Sequence, residues 1–151
     1  MNGIFHRILV AMSGTPSSEA AADLALRMAQ THGAQVVMVT VVDTGLAQEI
    51  SRVLGRPGEE VLGEMQRSHQ AILHEGQLMA RRMGISVETV LRRGSPHLEI
   101  VAEAAARQVD LLVLGSSSHV GGARRLAIGR VVERVIENAD CPVLVVRHRA
   151  P

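Results

Sequence analysis

Continuous apolar runs alternate along the chain with stretches of helical period. Runs rich in β-branched residues occupy Arg7 to Met12, Gln35 to Val42, Ser86 to Leu91, Asp110 to Gly115 and Pro142 to Arg147. Within them Ile8-Leu9-Val10, Val36-Val37-Met38-Val39 and Leu111-Leu112-Val113-Leu114 are unbroken rather than alternating. That is the pattern of strands covered on both faces. Between the runs, start and stop signals frame helices. Thr15-Pro16 sets a capping hydroxyl before a proline in the first helical position, and predicts a helix from Ser17 to Thr31 that stops at His32-Gly33. Ser95-Pro96 repeats the device before a helix from His97 to Gln108. A long helical segment from Glu59 to Met83 stops at Gly84, and a last helix runs from Arg130 to Asn138. The stretch Thr44 to Gly58 holds Gly45, Gly55, Pro57 and Gly58, and reads as an excursion over the surface with at most a short helical turn. The order β-α-β-α-β-α-β-α-β predicts an α/β fold: a doubly wound parallel sheet with helices on both faces and right-handed crossovers.

Composition narrows the chemistry. At 151 residues, 46% of them hydrophobic, the chain suits a single domain, residues 1–151, with a real core. All 16 basic residues are Arg, and Phe5 is the only aromatic residue. Without Lys there is no Schiff base, no Walker-type phosphate loop and no kinase strand lysine. Without aromatic rings on a sheet there is no base-stacking platform, and a net charge of +1 adds no basic surface for nucleic acid. The lone Cys141 excludes an intramolecular disulfide and a thiolate zinc cluster, and its place before Pro142 in an apolar run reads as structural. Neither a signal peptide nor a membrane-spanning run is expected, which places the protein in the cytoplasm.

In an open α/β sheet, ligands bind beyond the carboxyl ends of the strands where the strand order reverses. The loop after the first strand, Ser13-Gly14-Thr15-Pro16-Ser17-Ser18, lacks the GxGxxG dinucleotide fingerprint. The loop after the fourth runs from Gly115 through Ser116, Ser117, Ser118, His119, Gly121 and Gly122 to Gly129. Small residues let backbone N–H groups approach an anion, and Gly129 precedes the final helix, whose N-terminal end favours phosphate. Arg124, Arg125 and Arg130 offer charged, bidentate donors to such a ligand. The other reading is a surface connection whose arginines are solvated.

The order and spacing of these pieces resemble the universal stress protein family over essentially the whole chain. The pieces are Ile8-Leu9-Val10-Ala11 with Gly14-Thr15, Val39-Thr40-Val41, Arg93-Gly94-Ser95-Pro96, Asp110 to Ser116, Gly129 to Val135 and Cys141 to Arg147. The resemblance implies five parallel strands in the order 3-2-1-4-5, a fold of the adenine-nucleotide α-hydrolase type, a homodimer, and a stress-response role. In one branch of the family it implies ATP or AMP, with Mg accompanying the nucleotide. Carried onto this chain, the nucleotide contacts would fall on Ala11, Met12, Ser13, Val41, Leu114, Gly115, Ser118, His119, Gly129, Arg130 and Val131. Adenine and ribose contacts at Val41 and Ala11 to Ser13 would be mainly of backbone type. The chain departs from the family pattern in four places. Ser118 stands for the second glycine of the phosphate motif, ten residues rather than nine then precede Gly129, and Arg130 replaces the final hydroxyl residue. Ser13 also stands where the family has an acidic residue. Two functions therefore stay open: a dimeric, nucleotide-binding regulator, or a dimeric interaction module with a degenerate pocket.

Enzymatic readings find less support. Gly115-Ser116-Ser117-Ser118-His119 follows a strand as a nucleophile elbow does, but His119 takes the place of its second glycine. Of the 7 histidines, none is paired at i, i+4, so no metal site is expected, and they read as scattered surface or partly buried residues. No residue reads as a dedicated base, which leaves at most weak ATP hydrolysis. Met65, Met79 and Met83 read as an ordinary core face of the long helix. Val143 to Val146 forms an apolar strand at the sheet edge, an invitation to pair with the same strand of a second copy.

Overall fold

The three unbroken apolar runs form the middle of one five-stranded parallel sheet. In the computed structural model, which describes residues 3–117 and 129–148, the strands are ordered β3-β2-β1-β4-β5. They are β1 (Arg7–Ala11), β2 (Gln35–Asp43), β3 (Val87–Gly94), β4 (Leu111–Ser117) and β5 (Val143–His148). Helices α1 (Pro16–His32), α2 (Thr44–Leu54), α3 (Gly58–Arg82), α4 (Pro96–Ala106) and α5 (Arg130–Asn138) connect them. The doubly wound fold and the strand order are as expected from the sequence. β1 pairs with β2 through Ala11↔Val39 and with β4 through Val10↔Val113, so the strand order reverses beside β1.

Alternate residues of the central strands feed two cores. Ile8, Val10, Val36, Met38, Leu111 and Val113 pack under α1 and α3. Leu9, Val37, Val39, Val41, Leu112 and Leu114 pack under α4 and α5. Ile8, Leu9 and Leu112 are wholly buried, each contributing about 1.5–3 kcal/mol. Such burial on both faces is why these runs do not alternate. Met79 of α3 and Met83 at its C-cap lie against the first core, as the core-face reading expects, whereas Met65 is in neither core cluster; Cys141 is half-buried against the second. Burial pushes the Cys141 thiol above its ordinary pKa.

Two local readings are corrected. Thr44 to Gly58 is not an excursion: α2 fills eleven residues of it. Asp43 Oδ1 accepts from Leu46 N at 3.1 Å at its start, and Gly55 closes it at φ 63° in the left-handed region. The glycines and proline there mark the ends of two helices rather than a loop, because Pro57 stands at the N-cap of α3. The third strand runs three residues further than Leu91, through Arg92, Arg93 and Gly94, because β2 offers partners as far as Asp43. Among the described residues, no helix is long and apolar enough to cross a membrane.

Candidate functional site

At the carboxyl end of β1 the chain leaves the sheet while its neighbours continue. Met12 N still donates to the Val39 carbonyl at 2.7 Å, and Thr40 Oγ1 donates to the Met12 carbonyl at 2.8 Å. Beyond this point Val41 has no β1 partner, since the pairing ends at Ala11↔Val39. Strand alternation points the Val41 N–H and C=O the same way as the Val39 carbonyl, toward the space that β1 has vacated. A cleft of about 660 Å³ opens there, within the range of small-ligand sites of about 300–1,000 Å³.

Seven elements, β1, α1, β2, α3, α4, β4 and α5, and the loops between them build this cleft. Ala11, Met12, Ser13, Val41, Leu114, Gly115, Gly129, Arg130 and Val131, all named from the sequence, line it together. Ser118 and His119, with Arg124 and Arg125, lie outside the described residues. The floor is apolar, from Val39, Val41, Ile100 and Leu114, and the rim is polar. At one side stands the start of α5, where Gly129 is the N-cap and Arg130 the first helical residue. At the other, α3 contributes His69.

Thr15 caps α1 as the sequence predicts, its Oγ1 accepting from Ser18 N at 3.2 Å. Hydroxyls continue around it: Ser13 Oγ lies 3.0 Å from Thr15 Oγ1, which lies 3.1 Å from Ser17 Oγ. Ser18 Oγ in turn accepts from Ser13 N at 3.2 Å. This ladder holds Ser13 at the cleft and gives the N-terminal end of α1 a neutral, donor-capable lining. Ser95 behaves otherwise. It stands at the N-cap of α4, but its hydroxyl lies 3.3 Å from His97 Nδ1 and does not bond the helix backbone.

Gly115 has a second role besides opening the loop. A Cβ there would lie 2.2 Å from the Ser17 carbonyl oxygen, so β4 passes the first turn of α1 closer than any side chain allows. Gly129 is the opposite case, with nothing among the described residues within 4 Å of the place a Cβ would take. On the far side, Arg92 of β3 binds Glu99 at 2.8 Å and Glu103 at 2.7 Å, which ties down the helix that supplies Pro96 and Ile100. Arg107 binds Glu103 at 2.5 Å and also pairs with Glu88. Burial raises the Glu103 pKa, but the hydrogen bonds from Arg107 and Arg92 outweigh it and hold the carboxyl below its ordinary value.

The lining residues not among the site residues named from the sequence are Thr15, Ser17, Ser18, Val39, His69, Pro96, Ile100, Ser116 and Val132. Most adjoin residues already named, and a cap signal marks Thr15. His69 carries no such signal, because it reaches the cleft from the middle of a long helix. The ionisable side chains among the described lining residues are His69 and Arg130, with no carboxylate. Among the described residues, no cluster of three or more His, Cys, Asp or Glu could hold a metal ion.

The Universal stress protein family model matches residues 4–147. A universal stress protein of Methanocaldococcus jannaschii is 34% identical over 148 residues, covering 95% of this chain and 83% of that protein. Among solved structures, the universal stress protein UspA from Lactobacillus plantarum superposes with a TM-score of 0.79 at 24% identity, over 97% of this chain and 100% of that one. The universal stress protein from Archaeoglobus fulgidus in complex with dAMP gives a TM-score of 0.67 at 22% identity, over 95% of this chain and 99% of that one. With the strand order, the match from Ile4 to Arg147 and the relative's identity in agreement, this chain belongs to the universal stress protein family.

Proposed function

We propose that the chain, as one domain, is a cytoplasmic stress-response regulator that binds an adenine nucleotide, ATP or AMP, in the cleft beyond β1, β2 and β4. One observation carries this reading: nine residues named from the sequence converge on a single cleft with an apolar floor and a helix N-terminus at one end. The base would lie over Val39, Val41 and Ile100, with the free backbone of Val41 meeting its polar edge. The phosphate would meet the N–H groups at the start of α5, assisted by Arg130. The dAMP complex of the Archaeoglobus fulgidus relative supports the ligand class.

The donor set bears on Mg. Hydroxyls of Ser13, Thr15 and Ser116, with His69 and Arg130, line the cleft, so a Mg ion would be carried by phosphate oxygens and water rather than by a carboxylate of the described lining. The regulator would act as a homodimer through β5, whose residues Val143 to Val146 stand half-buried at the sheet edge. No residue of the cleft is assigned a catalytic role.

Native mass spectrometry of the purified protein tests the nucleotide reading, with a co-purified adenine nucleotide expected. Retention of none, together with no AMP or ATP binding at millimolar concentration, would leave the family's fold serving as an interaction module. Replacing Gly129 with leucine sharpens the test. Among the described residues the site has open space, and its φ of −58° is ordinary, so the fold should tolerate the change while the side chain blocks the phosphate end.

A further inference from the structure

His69 is held in a way that defines what it offers a ligand. It lies in α3, and its Nδ1 is 2.8 Å from the Met65 carbonyl oxygen one turn earlier. A carbonyl only accepts, so Nδ1 carries the proton of the neutral ring and Nε2 is left as a bare acceptor. Nε2 makes no hydrogen bond among the described residues, and the ring lines the cleft.

Its height above the sheet follows from the helix that bears it. α3 leads into β3, whose first pairs match the first residues of β2, so earlier residues of α3 lie toward the carboxyl end of the sheet. Gly76 backs directly onto Met38, where a Cβ would meet the Met38 sulfur at 2.6 Å. His69 stands seven residues before Gly76, about 10 Å up the helix. Val41 stands three residues beyond Met38, about 10 Å along the strand. His69 and Val41 are therefore level, on the side of the cleft away from Arg130.

We propose that His69 reads the six-position of a bound purine: its Nε2 accepts from an exocyclic amine, so the cleft favours 6-amino purine nucleotides over 6-oxo ones. The inference rests on the nucleotide reading above. An amine at that position has two hydrogens, one for Nε2 and one for the Val41 carbonyl. A 6-oxo purine turns a carbonyl oxygen toward the Nε2 lone pair, leaves both acceptors facing an acceptor, and is rejected for that reason.

AMP and IMP are suitable probes because they differ at the purine six-position and keep the same ribose and phosphate. Calorimetric titration at pH 8 should show AMP binding roughly tenfold tighter than IMP, the effect of one well-placed buried hydrogen bond. His69→Leu should weaken AMP binding and reduce that ratio toward one, while IMP binding stays nearly constant. An unchanged AMP to IMP ratio in His69→Leu, with AMP still bound, overturns the role of His69 and leaves the nucleotide site standing. Failure of both nucleotides to bind wild-type protein at millimolar concentration overturns the nucleotide reading itself. Nitrogen-15 spectra of the wild-type imidazole keep the test independent of the variant's folding. The neutral ring should carry its proton on Nδ1, and AMP but not inorganic phosphate should move the Nε2 resonance. A proton on Nε2, or an Nε2 signal indifferent to bound AMP, refutes the assignment.

Discussion

Replacing Gly115 by alanine probes a close approach of one backbone to another, β4 to the first turn of α1. The new Cβ would lie 2.2 Å from the Ser17 oxygen, 2.3 Å from its carbonyl carbon and 2.6 Å from Ser18 N. Ordinary contact begins at 3.4 Å, so the first turn of α1 has to withdraw by about 1 Å. No flexible side chain can yield instead. Ser17 and Ser18 are 3% and 2% exposed, and the Thr15 cap and its hydroxyl ladder move with them. Overpacking of this kind costs about 3 kcal/mol, which in a domain of this size lowers Tm by roughly 6–12 °C. Gly129→Ala is the matched control, because no described residue lies within 4 Å of its Cβ position and φ is −58°. It should change Tm by only about 2–4 °C at most, the loss being the N-cap preference of glycine over alanine rather than a clash. Thermal unfolding followed by circular dichroism measures both. If Gly115→Ala melts within about 2 °C of wild type, β4 and α1 are not as close as the structure has them, and Gly115 serves the loop alone.

Thr15→Ala should destabilise by about 1 kcal/mol in urea unfolding, through loss of the Ser18 N–H partner, and Thr15→Ser should restore most of it. The Glu103 carboxyl has a folded pKa below its unfolded value, so the native state binds fewer protons there. Its contribution is complete above the ordinary value of 4.5 and fades as pH falls through the lower folded value. Glu103→Gln should accordingly flatten the loss of stability on acidification below that point, measured as the urea midpoint against pH. The thiol of Cys141 is half-buried with a raised pKa, so a thiol reagent at neutral pH should modify it more slowly than free cysteine, and equal rates would contradict that burial. Light scattering at micromolar concentration should report a dimer, and a monomer would defeat pairing through β5.

By itself the sequence determined what local chemistry can determine. The unbroken runs at Ile8, Val36 and Leu111 marked strands covered on both faces, and Thr15-Pro16 and Gly33 bounded α1, because covered strands and capped helices impose those residue types. The loops that would hold a ligand were legible too, since connectivity alone places them beyond the carboxyl ends of β1, β2 and β4. Local signals failed where one residue type serves two purposes. Gly45, Gly55 and Pro57 punctuate turns and helix ends alike, and α2 became visible only once Asp43 and Gly55 were seen as its caps. Gly115 reads as loop freedom in the sequence, and only the passage of α1 across β4 shows that a side chain has no room there. His69 is the furthest case. Its neighbours in the chain are ordinary helix, and its place opposite Val41 depends on where Gly76 lets α3 lie against Met38. Convergence of distant segments is a property of packing, and packing is settled by the whole core at once rather than by any stretch of it.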